Sequence, residues 1–206
     1  QHYTVLNSDP QARTSSIDKY RYSTQEKVAT LVAADSLLGI PYFTSYSFSQ
    51  DETRVLLATQ VEPIYRRSRL GIYYIYDLST GDLVQLSNEK IQEPTLSPSG
   101  DQVAFVLANN LYIADLSTGA VSQVTSDGRP NAIINGVTDW VYEEEFAFVR
   151  AFAWNSDGSK LAFLRFDESE VPEFSMDVYG QGLYPFPHRF KYPKAGEANA
   201  RVSPYI

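Results

Sequence analysis

The stretch Asp77-Leu78-Ser79-Thr80-Gly81 recurs with an identical sequence as Asp115-Leu116-Ser117-Thr118-Gly119. Each copy follows one run of β-forming residues and precedes another, so each Ser-Thr-Gly segment predicts the turn of a β-hairpin. A weaker copy, Tyr22-Ser23-Thr24-Gln25-Glu26, predicts a third hairpin of the same kind. Repeated hairpins at intervals along one chain are typical of architectures built from small, similar sheets.

A second repeated element precedes the hairpins and consists of a polar turn followed by an apolar strand. It occurs at residues 49–52, 97–100 and 155–158. A unit of turn, buried strand, hairpin and outer strand, recurring every roughly 40 to 60 residues, favours the blades of a β-propeller. The alternative is a β-sandwich in which common turn sequences coincide by chance. We therefore expect an all-β chain of about three to four blades, too few to close most propellers.

One segment interrupts the β pattern and predicts a short helix around residues 139–147. Asp139 is a helix-capping residue type, and the acidic residues that follow it suit the first turns of a helix. Since insertions into repeat units tend to lie on one face, often the binding face, this helix is a candidate part of a functional site.

The composition excludes several classes of function. The 206 residues include 25 acidic and 17 basic side chains, a net charge of −8 that disfavours nucleic acid as a partner. The absence of cysteine and the presence of only two histidines, His2 and His188, argue against a cysteine or histidine metal centre and against a histidine-based catalytic triad. We predict no metal, no cofactor and no membrane span in this chain.

Two charged clusters are candidates for binding. On a helix, two successive carboxylates among Glu143, Glu144 and Glu145 can converge on one cation, whereas a strand would point them to opposite faces. The alternative is a solvated helix start that interacts only with the helix dipole. The second cluster, Arg66-Arg67-Ser68-Arg69, could donate hydrogen bonds to a carboxylate or a carbonyl, or could be solvated loop charge.

Several stretches together resemble one family. The segment Asp139-Trp140-Val141-Tyr142-Glu143-Glu144-Glu145-Phe146 is similar to the double-glutamate helix of dipeptidyl peptidase IV and its relatives. The resemblance spans roughly residues 48 to 206. Further matching stretches lie in the same order as in the family: Ile75-Tyr76-Asp77-Leu78, Trp154-Asn155-Ser156-Asp157-Gly158, Glu170-Val171-Pro172 and Tyr192-Pro193-Lys194-Ala195-Gly196.

The resemblance implies a serine exopeptidase that releases N-terminal Xaa-Pro or Xaa-Ala dipeptides. Residues 1–206 would be the incomplete N-terminal part of its eight-bladed propeller, and an α/β-hydrolase domain outside this chain would carry the catalytic triad. The resemblance assigns binding of the substrate's α-ammonium group to Glu144 and Glu145. It assigns a contact with a substrate carbonyl to Arg66, with Arg67 as the neighbour that a small shift of register would choose.

The resemblance also sets expectations for partners and location. The partners would be a peptide with a free N-terminus, the protein's own hydrolase domain and further copies of itself, and the 206 residues alone would be inactive. The sequence of residues 166–174, which resembles that of bacterial members, and the lack of glycosylation sequons indicate a periplasmic or exported protein. A related tripeptidyl peptidase or endopeptidase, a catalytically dead protein-binding homologue and a propeller glycosidase remain alternatives.

Overall fold

The computed structural model describes residues 1–37, 39–40 and 42–206. Its strands form consecutive antiparallel sheets, each built from neighbouring segments of the chain. The first sheet is a meander of three strands in chain order, followed by a 3₁₀ turn at Ala34–Ser36. Its strands are β1 (His2–Asp9), β2 (Thr14–Arg21) and β3 (Lys27–Ala33).

The second and third sheets repeat one plan of four antiparallel strands in chain order. The second contains β4 (Ser45–Phe48), β5 (Arg54–Pro63), β6 (Arg69–Asp77) and β7 (Leu83–Gln85). The third contains β8 (Gln92–Leu96), β9 (Gln102–Leu107), β10 (Asn110–Asp115) and β11 (Val121–Gln123).

The repeated Ser-Thr-Gly segments are hairpin turns, as predicted. The carboxylate that opens each turn accepts the backbone N–H groups two and three residues later, at 2.9 and 3.2 Å from Asp77 and at 2.9 Å twice from Asp115. Gly81 and Gly119 close the turns at φ values of 79° and 71°, which a side chain would disfavour. In the weaker copy Gln25 takes this position at φ 58°.

The fourth sheet carries two insertions. One edge of this sheet is a split strand, because β12 and β13 pair with one side of β14 at different positions along it, while β17 pairs with the other side. The helix α1 lies in the insertion between β12 and β13, and a separate hairpin of β15 and β16 lies between β14 and β17. The bounds are β12 (Ile133–Asn135), α1 (Trp140–Phe146), β13 (Phe152–Trp154), β14 (Leu161–Asp167), β15 (Glu173–Val178), β16 (Phe186–Lys191) and β17 (Arg201–Tyr205).

The apolar cores lie between successive sheets. Along β5, Leu57 packs with the first sheet and Leu56 with the third. Along β9, Phe105 packs with the second sheet and Val106 with the fourth. Since neighbouring residues of a strand point to opposite faces, both faces of each central sheet are buried and the sheets stack as blades do.

The predicted all-β fold, a partial propeller of about three to four blades with one short helix, is confirmed. Within the described ranges α-helix is confined to α1, and no helix there has the length and hydropathy needed to cross a bilayer.

Candidate functional site

The helix α1 is fixed at its start by Asp139. The Asp139 side chain accepts a hydrogen bond from Tyr142 N at 2.9 Å, and the helix ends where Ala147 adopts a left-handed conformation at φ 60°. A helix of seven residues is marginal on its own, so its position depends on packing. The Tyr142 ring meets Phe166 of β14 edge-on, with 5.0 Å between the ring centroids.

The loop between β5 and β6 is the second component of the site. It is a tight loop, because Ile64 N donates to Ser68 O at 2.9 Å and Tyr65 N donates to Ser68 Oγ at 3.2 Å. The loop belongs to the second sheet and α1 to the fourth, so contacts between them join segments that lie more than 70 residues apart in the chain.

Glu143 joins this loop to the helix. Its Oε1 accepts Arg67 N at 2.6 Å and Ser68 N at 2.9 Å, and its backbone oxygen accepts Arg67 Nη1 at 3.3 Å. Glu143 is 1% exposed. The alternative of a solvated helix start is therefore wrong for this residue, and the sequence analysis missed its role because the helical pattern alone does not show what a side chain contacts.

Arg66 and Glu144 form an ion pair beside the Glu143 contact. Arg66 Nε lies 2.8 Å from Glu144 Oε2 and 3.2 Å from Oε1. The Arg66 side chain is 70% exposed and that of Glu144 is 16% exposed. Both hydrogen bonds use Nε, and in the described part of the chain the terminal N–H groups of the guanidinium donate to no other residue. The outer fork of Arg66 therefore faces solvent with its donors available.

Glu145 follows Glu144 on the helix and is exposed. Among the residues that the structure describes, its carboxylate forms no ion pair or hydrogen bond. It borders an open groove of about 260 Å³ whose other walls include Trp140, Tyr192 and Lys194. Of the three residues predicted to bind substrate, the structure brings Arg66 and Glu144 into direct contact, and Glu145 lies next to them in sequence on the same helix.

The neighbours Arg66 and Arg67 contact different glutamates of α1. Arg67 donates its backbone N–H and one guanidinium N–H to Glu143, whereas Arg66 donates its Nε–H to Glu144. The two arginines therefore make different contacts: the side chain of Arg66 pairs with the Glu144 carboxylate, and that of Arg67 with the Glu143 backbone oxygen.

A cavity of about 190 Å³ lies behind the loop and the helix. Burial raises the pKa of the Glu168 carboxyl to about 7, and the nearby Asp139 carboxylate adds to this shift while Lys191 opposes it. Burial also raises the pKa of Asp139, and it raises that of Tyr65 to about 12 with help from the acidic groups around it. The sequence analysis did not single out Glu168, because an acid in a strand-to-hairpin connection gives no local sign of burial.

The base of the β15–β16 hairpin packs against both parts of the site. The Trp140 and Tyr192 rings lie 4.5 Å apart between centroids, and Tyr65 and Phe190 lie 6.2 Å apart. The helix, the loop and the hairpin therefore meet at one place. No cluster of three or more metal-binding side chains occurs in the described ranges.

Comparison with known proteins identifies the family of the chain. Residues 49–206 match the family model described as "Dipeptidyl peptidase IV (DPP IV) N-terminal region". The crystal structure of Porphyromonas gingivalis dipeptidyl peptidase 4 superposes with a TM-score of 0.86 and 38% identity, covering 98% of this chain and 30% of that one.

Three curated relatives differ in their described activities. A "Prolyl endopeptidase FAP" of Mus musculus is 35% identical over 90% of this chain and 25% of its own length. A "Probable dipeptidyl-aminopeptidase B" of Arthroderma gypseum is 39% identical over 75% of this chain and 18% of its own. An "Inactive dipeptidyl peptidase 10" of Mus musculus is 32% identical over 90% of this chain and 24% of its own.

The chain thus spans a quarter or less of the length of these curated relatives. Its family match begins at the start of the second sheet's first turn and includes the β5–β6 loop, α1 and the hairpin. The chain belongs to the dipeptidyl peptidase IV family, as part of that family's N-terminal region.

Proposed function

We propose that this region binds the free N-terminus of a peptide and presents it to a serine hydrolase domain of the same protein, which releases an Xaa-Pro or Xaa-Ala dipeptide. Glu144 and Glu145 bind the α-ammonium group, and Arg66 donates to a carbonyl of the bound peptide. The region orients the peptide and gates its access but is inactive by itself, because these groups include no activated nucleophile.

The observation that carries the proposal is the Arg66–Glu144 pair, in which the terminal N–H groups of Arg66 donate to none of the described residues. A carboxylate held at 2.8 Å by a guanidinium is fixed in place, and the outer fork of the same guanidinium can receive a carbonyl oxygen. The adjacent Glu145 carboxylate is exposed and forms no ion pair in the described part of the chain. The N-terminus of a peptide carries both groups that such a site would bind: an ammonium group for the two carboxylates and a carbonyl oxygen for the arginine.

An ammonium anchor at a fixed distance from a nucleophile determines which peptide bond is cut. Two extended residues span about 7 Å, so binding of the N-terminus selects the second peptide bond. The names of the curated relatives include an endopeptidase and an inactive protein, and both match at similar identity. A direct test of N-terminal recognition therefore discriminates between these activities.

The test compares free and N-acetylated Xaa-Pro substrates in the full-length protein and in the variants Glu144→Gln, Glu145→Gln and Arg66→Ala. Each charge-assisted hydrogen bond contributes about 1.5 to 3 kcal/mol, so each variant should lower kcat/KM for the free peptide by about tenfold to a hundredfold. The acetylated peptide should be a poor substrate of the wild type, since it lacks the cation.

The matched control is Glu89→Gln, which neutralises an exposed glutamate outside the site and should leave kcat/KM unchanged. Equal cleavage of the free and acetylated peptides by the wild type would reject the proposal in favour of an endopeptidase. Wild-type kcat/KM in both glutamate variants would reject the role of the helix.

We also propose that the protein is a homo-oligomer in the periplasm or outside the cell. The tip of the β15–β16 hairpin supports an oligomer, because Tyr179, Leu183 and Tyr184 are 77%, 95% and 86% exposed. Large apolar side chains grouped on one projecting element commonly mark an interaction surface. The proposed location rests on the similarity of residues 166–174 to bacterial sequences, and cell fractionation would test it.

A further inference from the structure

We propose that Glu143 is a positioning residue, which holds the β5–β6 loop against α1 and thereby sets the placement of Arg66 relative to Glu144. This inference rests on the proposed function, since it assigns the geometry of that site to a residue that does not touch the peptide. Glu143 acts through the backbone of the loop and not through a contact with substrate.

The geometry gives Glu143 a specific hold on the loop. One carboxyl oxygen accepts the backbone N–H groups of two consecutive loop residues, at 2.6 Å from Arg67 N and 2.9 Å from Ser68 N. The Glu143 backbone oxygen accepts the Arg67 guanidinium as well. These three contacts hold Arg67 and Ser68 against the helix, and Arg66 directly precedes them in the chain.

The order of the contacts links the two pairs. Glu143 bonds to Arg67, and the residues beside them, Glu144 and Arg66, form the ion pair. The two chain segments therefore meet with neighbouring residues in register. A shift of the loop by one hydrogen bond would carry Arg66 away from Glu144, and a displacement of about 1 Å in a positioning contact can reduce turnover about a hundredfold.

The chemistry of the position favours a hydrogen-bond acceptor over an apolar side chain. Burying a carboxyl group is unfavourable unless hydrogen bonds compensate, and an apolar side chain could fill the same space without that cost. An apolar residue could not accept the two loop N–H groups, however, and those groups would then be buried without partners. The buried glutamate therefore supplies a fixed point between the second and fourth sheets.

The experiment compares Glu143→Gln, Glu143→Asp and Glu143→Ala in the full-length enzyme. The Gln variant keeps an oxygen at the position of Oε1 and should retain kcat/KM within about threefold for free Xaa-Pro substrates. The Asp variant keeps the carboxyl group but is one methylene too short, and the Ala variant has no acceptor. Both should lose about tenfold to a hundredfold in kcat/KM, and both should discriminate less between free and acetylated substrates.

A double-mutant cycle with Arg66→Ala separates positioning from general stability. If Glu143 acts through Arg66, then Glu143→Asp should cost much less in kcat/KM when Arg66 is already alanine. Additive losses in the cycle would overturn the inference, as would an unchanged free-to-acetylated ratio in Glu143→Asp. If Glu143→Ala does not fold, the difference in kcat/KM between the Gln and Asp variants still tests the positioning role.

The outcomes also separate this inference from the proposed function. A normal kcat/KM in Arg66→Ala and Glu144→Gln would reject the proposed function and with it the positioning role. A large loss in those two variants, together with a Glu143→Asp variant that behaves as wild type, would reject the positioning role alone.

Discussion

Glu168 is a buried acid whose protonation depends on the folded structure. It is 6% exposed, and burial raises the pKa of its carboxyl from 4.5 to about 7. The folded protein therefore binds this proton more tightly than the unfolded chain does. The resulting stabilisation is fully present below pH 4.5 and is lost as the pH rises to about 7.

We predict that Glu168→Gln removes this loss of stability with rising pH, because the amide resembles the protonated acid. As the pH rises from 4.5 to 8, the free energy of unfolding of the variant should increase relative to that of the wild type, by up to about 3 kcal/mol. Apparent Tm values of the full-length protein across this range would show the difference. The control Glu89→Gln should show no such trend, and a constant Tm difference between Glu168→Gln and wild type would contradict the prediction.

Gly128 lies where the backbone approaches Asn109 and Asn110. A Cβ at Gly128 would overlap the carbonyl oxygen of Asn109 and lie 2.8 Å from Cγ of Asn110. We predict that Gly128→Ala destabilises the protein by about 1 to 3 kcal/mol, the usual range for overpacking. The control is Gly180→Ala, where a Cβ would meet only Phe186 Cε1 at 3.9 Å. Equal apparent Tm values for the two variants would count against a steric cause.

The residues of the candidate site were predictable in part. The helical spacing pointed to two of the three glutamates of the helix, and the resemblance chose Glu144 and Glu145 together with Arg66. Neither showed that Glu143 is buried against the β5–β6 loop, because that contact joins residues separated by more than 70 positions. Local sequence signals describe a helix face, whereas the partner of that face depends on how the sheets stack.

At the scale of elements, α1 depends on its cap because it has only seven residues. We predict that Asp139→Ala speeds hydrogen exchange of the amides in residues 140–146 by about fivefold, as loss of a cap costs about 1 kcal/mol. Asp139→Asn keeps a side-chain oxygen that can accept from Tyr142 N and serves as the control. Equally fast exchange in both variants would show that the side-chain oxygen does not hold the helix.

The elements with local signals were those that the sequence predicted well. The Ser-Thr-Gly hairpins are specified by an aspartate, its backbone donors and a glycine at positive φ, all within four positions, and the helix start by an aspartate and a backbone donor three positions later. The split edge strand of the fourth sheet was not predicted. Its parts β12 and β13 have three residues each and are defined by pairing with β14, a contact that no short pattern encodes.

At the scale of the molecule, the propeller arrangement explains how distant segments form one site. The helix α1 follows β12 of the fourth sheet, and the β5–β6 loop belongs to the second sheet. The third sheet packs between these two sheets. The sheets supply a rigid frame with buried faces, and the insertions carry the groups that can bind a ligand. The repeat pattern predicted the sheets. The contact between α1 and the β5–β6 loop, however, depends on how the sheets stack.

The β15–β16 hairpin makes a prediction about assembly. In the described residues its strands pair only with each other, and its tip exposes Leu183 and Tyr184. If this tip binds a second copy, the double variant Leu183→Asp, Tyr184→Asp should shift the full-length protein towards monomer in sedimentation velocity, because charge would have to be buried in the interface. The control Val121→Asp places a charge on an exposed apolar residue of β11 and should leave the oligomer intact.

The base of the same hairpin contacts α1 through Trp140 and Tyr192, so the monomeric variant also tests whether assembly supports the site. An oligomer that persists unchanged in the double variant would place the interface elsewhere.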